Sequence, residues 1–421
     1  MIKNRVEEWK KVAERLGGEA GERIAEAMAE LYEVYDSRMV EWLASLYDDE
    51  IGAFYYSAPA RDTDGYLPDI ESTYGVLAGI ESMGMVNAYG KNFVPAMPEW
   101  LNKKIGDFIL SCQDEDGYFY QKQWGKEVSL LRKSRDLTCC TYLLDRLGLS
   151  AKYPIPTVGA KKDEEGGYDL SNAPDRFRSA DAFRAYLEAQ DLAKTSYHTG
   201  SELLSQFAEV RAYSELLGVN LVDEIVAWLN KYKRADNGLW QEEINYHAIN
   251  GLHKLSWVYN LAGKPIPDVD ACFDSTVKII MSDVPTTVVV EVYNPWHVLG
   301  ELVKNAKNHQ PEKYNSLIER VKALAPDMIR KSIEKVKLYK QPDGSVSYSV
   351  SGGDYTSQGS PASPRDKKGA SVNGAMCGSI SLTKSVFGAL DIDDIRIPLY
   401  TEEDLKIFVG VLNETHEKNS K

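Results

Sequence analysis

The chain has 421 residues, a formal net charge of −14, and hydrophobic and charged contents of 43% and 27%. This composition is ordinary for a folded globular protein, although a chain of this length is usually divided between two domains. The negative charge argues against nucleic acid or an anionic membrane surface as the main partner. A membrane-spanning segment is not expected either, because no apolar stretch is long enough to cross a bilayer.

Cysteine and histidine usage argues against disulfides and metal sites. The five cysteines are an odd number, and two of them, Cys139 and Cys140, are adjacent, which indicates buried free thiols. The six histidines show no zinc spacing, so we expect neither a metal nor another cofactor. The N-terminus, residues 3–17, is a charged amphipathic helix without the apolar core of a signal peptide, which predicts a cytoplasmic protein.

Helical periodicity recurs along the chain in six pairs, with a long connection inside most pairs. The first helices of the pairs are predicted at residues 21–47, 97–112, 177–194, 220–233, 268–281 and 312–339. The second helices are predicted at residues 70–84, 130–147, 198–217, 244–262, 294–307 and 370–388. Residues 148–176 form the longest irregular connection, and residues 391–421 form a C-terminal tail with a short helix.

Turns of the type Asp/Asn-Gly recur where the first helix of a pair ends, at Asp116-Gly117, Asn237-Gly238 and Asp343-Gly344. Glycine accepts the positive φ that such a turn needs, and Asp or Asn supports the turn through side-chain hydrogen bonds. A single turn of this type is weak evidence. Several of them at comparable positions in helical hairpins indicate a repeat architecture.

The turn sequence also carries a family resemblance. Gln113–Tyr118 reads Q-x-x-D-G-aromatic, with a shortened version at Gln341–Ser345, and this element resembles the QW-type repeat of terpenoid-cyclase toroids. The length and the six hairpins are similar to six-hairpin glycosidases and toroidal polysaccharide lyases over about residues 21–390. The resemblance implies an all-α (α/α)6 toroid with minor β structure in loops, a single domain over residues 1–421. It also implies that the second helices surround a funnel entered by the longer loops.

The helix predicted at residues 244–262 has two distinct faces. The apolar face carries Ile244, Ala248, Leu252, Leu255 and Tyr259. The opposite face carries Tyr246, Asn250, His253 and Trp257. A surface helix would place Lys and Glu on that second face, whereas hydrogen-bonding aromatics, an amide and an imidazole suit the wall of a wet cavity. The alternative is a buried helix whose polar groups are satisfied internally.

Six polar segments begin the second helices, at residues 68–73, 133–140, 198–205, 245–254, 293–300 and 371–379. Their free N–H groups and aligned dipoles favour anionic or hydroxyl-rich ligands. The polar residues expected to bind substrate are Asp69, Arg135, His198, His247, Asn250, His253, Asn294, His297 and Asn373. The aromatic residues expected to stack on sugar rings are Tyr66, Trp124, Trp240 and Trp257. The alternative roles for these residues are helix caps, packing at the rim and, for Arg135, pairing with an acid.

Glycoside hydrolysis is the leading hypothesis for the chemistry, with an oligosaccharide as the substrate. This reaction usually needs two carboxyl groups, one of them held protonated. The catalytic candidates are Glu71, Asp136 and Glu202, and Asp69 is an equal choice unless it serves as an N-cap. The separation of the carboxyl groups is not encoded in the sequence, so retaining and inverting mechanisms both stay open.

Three other functions fit the same architecture, because one fold hosts several chemistries. A lyase acting on uronate-containing sugars would use Tyr246 as its base, with neighbouring His and Asn residues to neutralise the acid group. An isoprenoid cyclase would use the D-x-D-D motif at Asp391–Asp394, which we interpret instead as a solvated turn after the last helix. A non-catalytic sugar-binding toroid is the remaining alternative.

Overall fold

The computed structural model describes residues 5–156 and 173–419. Over these residues the chain is predominantly α-helical. The first nine helices are α1 (Val6–Leu16), α2 (Gly18–Tyr32), α3 (Arg38–Ser45), α4 (Ala58–Arg61), α5 (Ile70–Met83), α6 (Glu99–Cys112), α7 (Leu130–Leu147), α8 (Ala180–Glu188) and α9 (Leu192–Ser205). They are followed by α10 (Phe207–Leu217), α11 (Leu221–Tyr232), α12 (Tyr246–Ala262), α13 (Val269–Met281), α14 (Val290–His309), α15 (Pro311–Lys337), α16 (Val372–Met376), α17 (Leu382–Ala389) and α18 (Glu402–Asn419).

The β structure is confined to two small antiparallel pairs in the described residues. Strand β1 (Tyr47–Asp48) pairs with β2 (Ala53–Phe54), and β3 (Thr356–Ser357) pairs with β4 (Ser360–Pro361). Short 3₁₀ turns occur at Asn87–Tyr89, Val94–Ala96, Asp175–Phe177 and Asp393–Ile395. A π-helical turn, Cys377–Ser381, joins α16 to α17. The all-α class with minor β structure in loops is therefore confirmed.

Local capping explains why three of the predicted second helices begin and end where they do. The N-cap side chains, which accept a hydrogen bond from a backbone N–H in the first turn, are Asp69 for α5, Ser129 for α7 and Asn245 for α12. The residues that end these helices in the left-handed conformation are Gly84, Gly148 and Gly263. Glycine is favoured there because it adopts positive φ without a steric cost. These boundaries agree with the sequence pattern to within two residues.

Other predicted helices are interrupted or shifted. The helix expected at residues 198–217 is two helices, α9 and α10, which meet at Gln206. The helix expected at residues 21–47 is divided into α2 and α3. Helix α14 begins at Val290, four residues before the predicted start at residue 294, and it contains Pro295. Most of the irregular connection predicted at residues 148–176 lies outside the described residues.

The second helices of the predicted pairs pack against one another in chain order. Helix α12 lies between α9 and α14, α14 packs against α17, and α5 packs against both α7 and α16. The approach of α9 to α12 is close, because a Cβ atom on Gly251 would lie 1.9 Å from Ser196 Oγ. The first helices of the predicted pairs pack on the second ones: α6 on α7, α11 on α12, and α13 and α15 on α14. Helix α2 packs between α1 and α15, and α3 packs against α18.

Within the described ranges, no helix combines the length and apolarity that crossing a membrane requires. The same residues contain no cluster of three or more His, Cys, Asp or Glu side chains arranged to hold a metal ion. All five cysteines are buried and free.

Candidate functional site

A cavity of about 250 Å³ lies along most of α5, beside Arg135 of α7 and the segment from α16 through the π-helical turn, and we call it the Glu71 cavity. Its polar wall includes Glu71 from the first turn of α5, Arg135 from α7, Asn373 from α16 and Tyr56 from the loop before α4. The remaining wall is made of small and apolar residues: Gly75, Ala78, Gly79, Val372, Met376 and Ile380. Glu71, Gly75 and Ala78 recur at helical spacing in the sequence, and this face of small residues leaves space beside a single carboxylate.

Glu71 is held by cations from two neighbouring positions of α7. The guanidinium groups of Arg132 and Arg135 both donate hydrogen bonds to the Glu71 carboxylate. Ser357, in β3, donates a third hydrogen bond, with its Oγ 2.7 Å from Glu71 Oε2. Burial alone would raise the pKa of Glu71, but Arg135 and Arg132 outweigh burial and lower this pKa to about 2. Glu71 is therefore a carboxylate that stays ionised at neutral pH.

Arg132 connects Glu71 to Asp136 beneath the floor of the cavity. Its side chain is fully buried, and Nε and Nη2 donate to the two Asp136 oxygens at 3.1 and 2.6 Å. Burial raises the pKa of Asp136 although the Arg132 charge opposes that shift. Asp136 is only 2% exposed and does not belong to the cavity lining. Its geometry suits a residue that positions Arg132 rather than one that touches a ligand.

A second carboxyl group lies near Glu71 on the loop before α16. Asp354 accepts hydrogen bonds from Tyr56, which lines the Glu71 cavity, and from Ser371, whose Oγ is 2.7 Å from Asp354 Oδ2. Burial raises the pKa of Asp354, and the negative charge of Glu71 adds to that shift, while its hydrogen-bond donors oppose it. The two carboxyl groups therefore have pKa values shifted in opposite directions. Such a separation is typical of paired acids and bases.

Asp69 has the structural role that the sequence left open. Its side chain caps α5, accepting from the backbone N–H of Ser72 at 2.8 Å and from the Ser72 hydroxyl at 2.6 Å. The residue is fully buried, and burial raises the pKa of Asp69 to about 7. Since Asp69 is absent from the cavity lining, its placement supports the N-cap interpretation.

A second cavity, of about 510 Å³, lies between α12, α14 and α17, and we call it the histidine cavity. It is lined by His253, Trp257, His297 and Glu301, and it shares Ser381 with the Glu71 cavity. The rings of His253 and His297 meet edge to face with their centroids 4.5 Å apart. Three of the predicted substrate-binding residues, His253, Trp257 and His297, are thus brought together.

Both imidazoles are held in the neutral state. Burial lowers the pKa of His297 to about 4, and the charges of Lys254, Lys384 and Lys304 contribute to that shift. Burial also places the pKa of His253 well below its ordinary value, with smaller effects from His297 and Lys254. The Nδ1 atoms of both rings are buried without a hydrogen-bond partner among the described residues.

Asn250 and Asn294 bridge α12 and α14. The amide of Asn294 donates to Asn250 Oδ1 at 2.9 Å, and Asn294 is 2% exposed. These residues satisfy one another in part, as the alternative for the polar face of α12 predicts. Neither belongs to the lining of the two cavities.

Tyr246 and Trp240 lie outside the linings of the Glu71 cavity and the histidine cavity, and Trp240 lines a separate groove beside the start of α9. The Tyr246 hydroxyl donates to the carbonyl of Val284 at 3.2 Å, and its ring lies under the Lys335 ammonium group. The Trp240 indole is 3% exposed, and its N–H donates to the carbonyl of Leu229 at 3.0 Å. Tyr246, in the first turn of α12, therefore packs against α15, and Trp240, in the turn before it, packs against α11. The pattern of residues on the faces of one helix does not reveal such contacts with other helices.

Three other candidates lie on the surface near α9. Glu202 is exposed and accepts from Gln206, whose Nε2 is 3.0 Å from Glu202 Oε1. His198 is exposed with its ring edge-on to Tyr197, and His247 is exposed with Nε2 3.0 Å from the Lys194 carbonyl. Glu202 therefore lies outside the linings of the Glu71 cavity and the histidine cavity.

Trp124 and Tyr66 line a loop groove of about 700 Å³. The Trp124 indole N–H donates to the carbonyl of Pro361 at 2.7 Å, and the Arg132 guanidinium lies 5.6 Å from its ring centroid. Trp124 thus lines the loop groove and also contacts Arg132, whose guanidinium binds Glu71.

The D-x-D-D motif does not form one acidic site. Asp391 accepts from Lys307 at 2.7 Å and from the Tyr314 hydroxyl at 2.6 Å. Asp394 is exposed and pairs with Arg15. Asp393 is also exposed and Asp391 is half-buried, so the interpretation as a solvated turn fits Asp393 and Asp394. Asp391 and Asp393 contribute to the histidine cavity.

Sequence reasoning missed several residues of the site, namely Arg132, Asp354, Ser357, Lys254 and Lys384. Arg132 lies three positions before Arg135 and four before Asp136, so helical spacing was a signal that could have identified it. Asp354 and Ser357 belong to a long loop, where periodicity carries no information about position.

Comparisons with known proteins identify no family. No family model matches the chain, and a search of curated proteins finds no match. Among solved structures, one described as a crystal structure of a protein from Actinoplanes is similar over 87% of this chain and 99% of its own, with 15% sequence identity and a TM-score of 0.38.

Proposed function

We propose that the helices form an (α/α)6 toroid, with an inner ring of α5, α7, α9–α10, α12, α14 and α16–α17. Packing between neighbours supports five junctions of this ring: α5 with α7, α9 with α12, α12 with α14, α14 with α17, and α16 with α5. The proposal adds the sixth junction, between α7 and α9, which closes the ring. Both cavities are lined by inner helices, which agrees with a central funnel.

In this architecture the Glu71 cavity is the active site of a glycoside hydrolase that acts on oligosaccharides. One observation carries the proposal: Glu71 lines the cavity, Asp354 accepts a hydrogen bond from Tyr56 of the same lining, and the pKa values of the two carboxyl groups are shifted in opposite directions. Glycoside hydrolysis uses one carboxyl group as the proton donor and one carboxylate that faces the developing positive charge of the sugar. In this chain Asp354 would supply the proton-donating carboxyl group and Glu71 the ionised carboxylate.

The roles follow from those states. Asp354, with the raised pKa, would donate a proton to the leaving-group oxygen of the glycosidic bond. Glu71, kept ionised by Arg132 and Arg135, would stabilise the positive charge that develops on the ring. Tyr56 and Asn373 line the same cavity and offer hydrogen-bonding groups for sugar hydroxyls.

Arg135 gives the site a preference for acidic sugars. Its side chain is 45% exposed although it pairs with Glu71, so part of the guanidinium is free to meet a ligand. A guanidinium group matches the two oxygens of a carboxylate with parallel hydrogen bonds. We therefore propose uronate-containing oligosaccharides as the preferred substrates.

Elimination on a uronate is the second candidate, and one observation favours it. A base must be unprotonated at working pH, and His253 and His297 are neutral because burial lowers their pKa values. Tyr246 is not suited to the role of base, because its hydroxyl faces Val284.

The proposal places the enzyme in the cytoplasm. All five cysteines are free, which is typical of proteins in reducing compartments.

Crystals soaked with uronate and neutral oligosaccharides test where the substrate binds. We expect a uronate sugar in the Glu71 cavity, with its carboxylate on Arg135 and a glycosidic oxygen near Asp354. Sugar bound only on the exposed surface near Glu202 would overturn the assignment of the active site.

A further inference from the structure

The histidine cavity contains three lysines that the proposed hydrolysis does not use. Lys254, Lys304 and Lys384 line it, and none of them forms an ion pair with a carboxylate in the described part of the chain. All three contribute to lowering the pKa of His297, so their ammonium groups lie near its ring. An anion bound in this cavity would be attracted by all three positive charges.

The three acidic residues of the same cavity form no ion pair with these lysines in the described residues. Asp391 is engaged by Lys307 and the Tyr314 hydroxyl. Glu301 accepts from the Asn260 amide, and Asp393 is exposed to solvent. The partners of Asp391 and Glu301 therefore come from outside the group of three lysines.

Two buried imidazole atoms at the cavity have no hydrogen-bond partner in the described part of the chain. Nδ1 of His253, in a residue only 3% exposed, has no hydrogen-bond partner among the described residues, and neither has Nδ1 of His297. Leaving a buried polar atom unpaired is costly, so such atoms usually have a partner that the protein alone does not supply. Trp257 lies beside them with 39% of its surface exposed, and its indole offers an apolar face to a ring.

We propose that the histidine cavity binds a phosphate-bearing ligand. The phosphate oxygens would meet the ammonium groups of Lys254, Lys304 and Lys384 and a hydrogen bond from an imidazole. A sugar or other ring attached to the phosphate would lie against Trp257. This site is separate from the proposed active site, although Ser381 borders both cavities.

Isothermal titration calorimetry with inorganic phosphate, glucose 6-phosphate and glucose tests the proposal. We expect both phosphates to bind and glucose not to bind at this site. Tighter binding of glucose 6-phosphate than of phosphate, with the difference lost in Trp257→Phe, would place the ring on the indole. Equal binding of the two would assign the site to the oxyanion alone.

Variants identify the cavity as the place of binding. The double variant Lys304→Gln/Lys384→Gln should weaken phosphate binding about tenfold or more, since two of the three cations are lost. The matched double variant Lys103→Gln/Lys406→Gln, which removes two exposed lysines elsewhere, should bind as the wild type does. Glu71→Gln should also bind phosphate normally, so a failure of the proposed hydrolase would not be confused with a failure here. No phosphate binding to the wild type, or equal weakening by both double variants, would overturn the proposal.

Discussion

The guanidinium of Arg132 and the carboxylate of Asp136 form a two-point ion pair that is closed to solvent, with hydrogen bonds of 3.1 and 2.6 Å. Their side chains are 0% and 2% exposed. Because the third nitrogen of Arg132 reaches Glu71, the pair fixes the direction from which the cavity carboxylate is held. Arg132 therefore links the stability of α7 to the charge state of Glu71.

Removing one partner of this pair should be strongly destabilising. We expect Asp136→Asn and Arg132→Met each to lower the free energy of unfolding by about 3–5 kcal/mol, because each leaves a buried charge or donor uncompensated. Urea unfolding followed by circular dichroism measures the change. Lys103→Gln, which breaks the exposed pair with Asp107, is the control and should have little effect. An equally small loss for the buried pair would contradict its proposed role.

Asp69 predicts a pH dependence of stability. Its folded pKa of about 7 lies above the value of about 4 expected for an unfolded chain. The folded state therefore binds more protons between these limits, and the contribution of Asp69 to stability is present below pH 4 and is lost as pH rises through 7.

Asp69→Asn should remove that pH dependence, because asparagine is also a good N-cap and carries no charge. Relative to the wild type, the variant should gain stability as pH rises from about 5 to 8, by at most about 1.4 kcal/mol per pH unit. Urea midpoints at several pH values measure the difference. A constant difference across this range would show that Asp69 is already ionised in the folded protein.

The sequence predicted local features well and contacts between helices less well. The bounds of α5, α7 and α12 follow from caps and glycine ends that act within one turn, so they were predictable. The face of small residues beside Glu71 was also visible as helical spacing. By contrast, the positions of Tyr246 and Trp240 depend on which outer helix lies beside them, and Asp354 reaches the site through a loop without periodicity.

Replacement by phenylalanine should destabilise the protein at Trp240 but not at Trp257. Trp240→Phe removes the indole N–H from the Leu229 carbonyl, which keeps the backbone N–H of Lys233. It also leaves a cavity beside a buried ring and should cost about 1–3 kcal/mol of unfolding free energy. Trp257→Phe changes a partly exposed ring in the histidine cavity and should leave the melting temperature near that of the wild type. Differential scanning calorimetry measures the melting temperatures of both variants. A larger loss for Trp257→Phe than for Trp240→Phe would favour the prediction that Trp240 faces a ligand.

Substitution of Glu71 or Asp354 should remove activity without unfolding the protein. We expect Glu71→Gln and Asp354→Asn each to lower kcat by about 10²–10⁴-fold, the usual contribution of general acid–base catalysis. Glu319→Gln, an exposed change on α15, is the matched control. Glu202→Gln tests another carboxylate that the sequence offers as a catalytic candidate. Its exposed position predicts near-normal kcat, and a loss as large as that of Asp354→Asn would favour Glu202 as a catalytic residue.

The reaction itself is tested most directly by measuring two products in one digestion of a uronate-containing oligosaccharide. Hydrolysis creates a reducing end only, whereas elimination also creates a conjugated double bond that absorbs in the near ultraviolet. We predict new reducing ends from the wild type, none from Glu71→Gln, and no rise in absorbance. A rise in absorbance that accompanies each new reducing end would contradict the hydrolase and assign the chain to the lyases.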